Sequence, residues 1–201
     1  MNAEVDGQPK SGSGVIEVTY KRYANWVPQE KHFVVEVRGE AFALDLGEKG
    51  KIFALLRGPM LGEDGTAPDG IINQVWDDLA VKYNYDWLAI LRNAQGKRDV
   101  GLNHLPMLVR FRDTNDPTTM EFLKPQNLES NFGPGVKMTG ATIEITRDEV
   151  TTGIVRQLPW LNGFMYEGRG KSIDFDLDGH LTSDPAAHGA RLGSLEFIRG
   201  E

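Results

Sequence analysis

The stretch Phe33-Val34-Val35-Glu36-Val37-Arg38-Gly39-Glu40-Ala41-Phe42-Ala43-Leu44-Asp45-Leu46-Gly47-Glu48-Lys49-Gly50-Lys51-Ile52-Phe53-Ala54-Leu55-Leu56 reads as three successive strands. The chain bends at Gly39 and folds back over residues 47–50, where glycine at both ends of Gly-Glu-Lys-Gly supplies the positive φ that a hairpin connection needs. Gly39 parts two strand segments with no room for a loop, which predicts a backbone conformation that alanine resists.

Working outward, residues 14–20 are rich in β-branched side chains and form a further strand, followed by an irregular connector in which Trp26 folds over the sheet edge. Residues 57–70 carry Gly58, Gly62, Gly65, Gly70, Pro59 and Pro68, a composition that neither a helix nor a central strand tolerates, so this is a long loop and a candidate contact surface. Asp69 is placed to cap a helical segment over residues 71–94. In it Ile72, Val75, Trp76, Leu79, Ala80 and Tyr83 share one face, and the helix continues or restarts at residues 84–86. Trp76, Tyr83, Tyr85 and Trp87 invite comparison with an aromatic ligand box, but aromatics at helical spacing are read as core, Trp76 first among them.

Residues 95–99 form a polar turn. A second hairpin joins residues 107–112 to 118–123 through Asp113-Thr114-Asn115-Asp116-Pro117, in which turn formation outweighs cation binding. Pro125 opens a short helical turn that Gly133-Pro134-Gly135 ends, residues 136–146 make a long strand, and residues 153–161 pack across an end of the sheet. Strands arriving as hairpins predict an α+β fold, a mostly antiparallel sheet or sheet pair with one main helical segment packed on it.

At 201 residues, 1–201 is read as a single globular domain with a full hydrophobic core. A formal net charge of −7 repels phosphate backbones, so nucleic acid is not an expected partner. The absence of cysteine removes disulfides, thiolate metal sites and cysteine nucleophiles together. No apolar run is long enough to span a bilayer. Within residues 1–13, Asp6-Gly7 is a hairpin signal, yet the first strand is short for the strand at 14–20; a truncated first strand and a flexible leader over residues 8–13 both fit.

Ser11-Gly12-Ser13-Gly14-Val15-Ile16-Glu17-Val18, Arg38-Gly39-Glu40-Ala41, Asn131-Phe132-Gly133-Pro134-Gly135-Val136 and Val150-Thr151-Thr152-Gly153-Ile154 with Leu158-Pro159-Trp160-Leu161 together resemble a family of uncharacterised proteobacterial proteins. Its members often carry an N-terminal export or lipoprotein signal. The resemblance spans residues 11–161. It implies a periplasmic or cell-envelope location and names no activity; the signal is missing here, which leaves a trimmed N-terminus that has lost an anchor or a cytoplasmic member.

For chemistry, Asp174-Phe175-Asp176-Leu177-Asp178-Gly179 has the alternating carboxylates and glycine of a calcium loop, but Pro185 stands where such a loop supplies its bidentate glutamate. The competing reading is a strand with Ile173, Phe175 and Leu177 inward, Asp174 and Asp176 outward, and a hairpin turn at Asp178-Gly179. We expect the strand. His180, Asp184 and His188 share one loop with looser spacing than a metal site shows, and His104 stands alone. No cofactor motif is present. The expected function is therefore a non-catalytic envelope protein that binds a protein or small ligand through a sheet face or the 57–70 loop. A metal-dependent enzyme or calcium-stabilised domain using Asp174, Asp176 and Asp178 is the alternative.

Overall fold

The computed structural model describes residues 1–22, 33–56, 75–84, 86–162, 173–175, 190–192 and 197–199. The fold is α+β, with antiparallel sheets and a few short helices. In chain order the strands are β1 (Asn2–Val5), β2 (Gln8–Ser11), β3 (Glu17–Arg22), β4 (Phe33–Glu40), β5 (Phe42–Asp45), β6 (Lys51–Ala54), β7 (Lys97–Val100), β8 (Leu108–Phe111), β9 (Met120–Leu123), β10 (Val136–Glu144), β11 (Ile173–Phe175), β12 (Ala190–Leu192) and β13 (Ile198–Arg199). The helices are α1 (Asp77–Lys82), α2 (Trp87–Asn93), α3 (Glu129–Phe132) and α4 (Ile154–Gln157).

The sheet β5-β6-β8-β9 is covered on both faces. Side chains alternate across a strand, so Leu44, Ile52, Ala54, Leu108 and Leu123 enter one core while Phe53, Val109, Phe111 and Met120 enter another. The first core is closed by a second sheet, β2-β1-β10-β7, through Ala3, Val5, Val136 and Met138, and by Trp76, Ala80 and Ile90. The second is closed by Ile154, Leu158 and Leu161 around α4, with Phe197. The expected sheet pair is present. Residues 153–161 lie against a sheet face and not across its end, because Ile154, Leu158 and Leu161 repeat at a helical interval that presents three apolar groups together.

The turn chemistry of the central hairpin is as expected: Gly47 and Gly50 have φ of +71° and +103°, and Asp45 Oδ1 accepts from the Gly47 N–H at 2.7 Å. At Gly39 φ is +151°, and a Cβ there would stand 2.8 Å from Ile16 Cγ2. β4 nonetheless runs through Gly39 and changes partner there, pairing with β3 up to Arg38 and with β13 from Gly39.

Three further expectations are corrected. Residues 8–11, for which a flexible leader was one of two expectations, form β2, which pairs with β1 around the Asp6-Gly7 turn; β1 takes β2 and β10 as neighbours, not the strand at 14–20. That strand itself starts at Glu17, since the Val15 N–H is given to Thr151 Oγ1 at 2.7 Å. Residues 97–99, read as turn, belong to β7, where β10 supplies the ladder that their polar composition does not advertise. The helical segment restarts at residues 84–86, one of the two expected outcomes: α1 and α2 are separated at Asn84, whose φ is +48°, and Trp76 is the cap residue of α1. Asp69, Trp26, Tyr85 and residues 57–70 lie outside the described residues.

Trp76 is fully buried, with the Arg98 guanidinium over its ring at 5.5 Å, while its Nε1–H has no acceptor among the described residues. Trp76→Ala is expected to cost about 3–5 kcal/mol, and Trp76→Phe much less, because it also removes the unpaired donor; a melting curve unchanged by the alanine would refute the packing. Gly39→Ala is expected to cost about 1–3 kcal/mol through backbone strain and the approach to Ile16. A urea midpoint equal to that of the parent chain would contradict this.

Candidate functional site

The segment between β9 and β10 positions the polar groups of interest. Leu128, buried in the first core, fixes it from below, and local hydrogen bonds shape it: the Asn127 N–H donates to the Lys124 carbonyl at 2.9 Å and Ser130 Oγ to the Asn127 carbonyl at 2.8 Å. α3 stops at Gly133, with φ of +83°, and Glu129 Oε1 accepts from the Gly135 N–H at 3.0 Å. This segment has an ion network on one side and a cleft on the other.

The network follows from strand register, which sets Arg110 opposite Glu121. Arg110 Nε donates to Glu121 Oε2 at 2.6 Å, and Arg112 Nε lies 2.6 Å from Oε1. Arg110 also donates to the Asn131 carbonyl, with the Phe132 ring centred 5.0 Å from its guanidinium. Burial pushes the Glu121 carboxyl up, but hydrogen bonds from Arg110 and Asn131 and the charges of Arg110 and Arg112 outweigh it and hold the pKa below the ordinary value. A carboxylate kept ionised and saturated with donors is a poor proton acceptor, so the network is an anchor at the rim of the core.

The cleft, about 310 Å³ in volume, has Leu102, Pro125, Leu128, Val136 and Met138 as its apolar part. Gln126, Asn127, Glu129 and Lys137 supply its polar part. Gln126 Nε2 donates to Asn103 Oδ1 at 2.7 Å, and Lys137 Nζ pairs with Glu4 Oε1 at 2.9 Å. The Gln126 amide is thus held in place.

Asp174 lies in β11, which extends over Ile173–Phe175 and pairs with Ala190–Leu192. The strand expected there is present over those three residues, though its partner is not the stretch directly after Asp178-Gly179. Asp176, Asp178, His180, Asp184 and His188 lie outside the described residues. Asp113 and Asp116 serve their turn: Asp113 Oδ1 accepts from the Asn115 N–H at 2.8 Å, and Asp116 Oδ1 accepts from Thr118 Oγ1 and N–H at 2.7 and 2.9 Å. Those Thr118 bonds lower the Asp116 pKa. His104 is exposed. Among the described residues no three His, Cys, Asp or Glu side chains gather closely enough to hold a metal ion, and no helix is long and apolar enough to cross a membrane. Comparison with protein-family models, curated proteins and solved structures finds no match for the chain.

Arg110, Glu121 and the cleft were not singled out from the sequence. The pairing of residues 107–112 with 118–123 contained the signal for the first two, since a charged residue within each apolar run predicts a cross-strand pair. Because the Glu121 pKa is lower in the folded chain, the stabilisation is fully present above the unfolded value, about 4.3, and is lost as pH falls through the folded value. The stability gap between the parent chain and Glu121→Gln should therefore close below about pH 4.3. Urea denaturation across a pH series checks this, and a gap that persists undiminished in acid would contradict it.

Proposed function

We propose that the chain is a non-catalytic binding protein of the cell envelope that takes a protein or small ligand through a sheet-borne surface. The observation that supports the reading is the cleft beside β10, where Gln126, Asn127, Glu129 and Lys137 stand around a lining of mixed polar and apolar character. Its polar groups suit orientation more than reaction: Glu129 accepts from a main-chain N–H, Gln126 is steadied by Asn103, and Lys137 is paired with Glu4. The envelope location is supported by the resemblance to exported proteobacterial proteins. The 57–70 stretch is a second contact surface on composition alone.

Isotope-labelled protein titrated with a mixture of small amide and aromatic fragments should show saturable shifts confined to the amides of Leu102, Gln126, Asn127, Lys137 and Met138. Gln126→Trp, which sets a large ring at the rim, should abolish them. Shifts spread over the whole surface, or unaltered in that variant, count against the cleft. A melting temperature raised by calcium and restored by chelator, with the effect lost in Asp176→Ala, would transfer the function to Asp174, Asp176 and Asp178.

A further inference from the structure

We draw no further inference here: the strongest candidate, the amphipathic ribbon of β3 and β4, whose register sets Val18, Tyr20, Val35 and Val37 on one face and Glu17, Thr19, Glu36 and Arg38 on the other, carries nothing, because nothing in the structure shows what covers its apolar face.

Discussion

The structure depends on burying one strand from both sides. An antiparallel sheet commonly keeps one wet face, but in β6 Ile52 and Ala54 go to one core while Phe53 goes to the other, all at no more than 1% exposure. Burial of Ile52 and Phe53 contributes about 1.5–3 kcal/mol each, and this gain is realised only if both faces are covered. One cover is the β2-β1-β10-β7 sheet with Trp76 and Ile90, and the other is the α4 region with Phe197. Each cover draws on segments distant in sequence from β6, which makes the fold rich in non-local contacts.

Charged side chains lie at the rims, where they help tie the covers to the central sheet. Glu40 Oε2 accepts from the Ile154 N–H at 2.7 Å, satisfying a donor at the start of α4 that has no partner within the helix. Lys51 Nζ reaches Gln157 Oε1 at 3.1 Å, and the Ala41 N–H donates to the Phe197 carbonyl at 2.7 Å. The Arg110–Glu121–Arg112 group does the same work beside the first core. Among the described residues no polar or charged residue is fully buried, so the cores avoid the desolvation cost that an unpaired charge carries.

What was legible in the sequence was whatever is written as apolar pattern or turn chemistry. The Ile52–Leu55 run, the positive φ at Gly47, Gly50 and Gly133, the hairpin around Asp113 and the burial of Trp76 all follow from local rules. β2 and β7 were missed because they are edge strands of one sheet. Gln8-Pro9-Lys10-Ser11 and Lys97-Arg98-Asp99 expose most of their side chains, and proline and lysine are what an exposed edge carries. Their strand character comes from β1 and β10, a tertiary effect that composition does not record. At Asn84 the apolar stripe continues while the backbone does not, which is why continuation and restart both stood open there. The cleft was invisible because it is made by the ends of elements, Leu102 after β7 and Leu128 before α3, and not by any run of residues.

The bulge at Thr139 joins the fold to the site. Without it, the residues of β10 that face β7 would keep one parity throughout, and the inward side chains would too. With it, Val136 and Met138 are inward before the bulge and Ala141 and Ile143 after it. β10 can therefore serve the first core along its whole length while its two halves bond to different neighbours, β1 early and β7 late. The same shift that lets one strand close the core lets it pair with β7 from Ala141 onward. Before the bulge β7 has ended, and Val136 is fully buried there in the first core with Leu128, so the early half of β10 is secured by packing and, among the strands described, by β1.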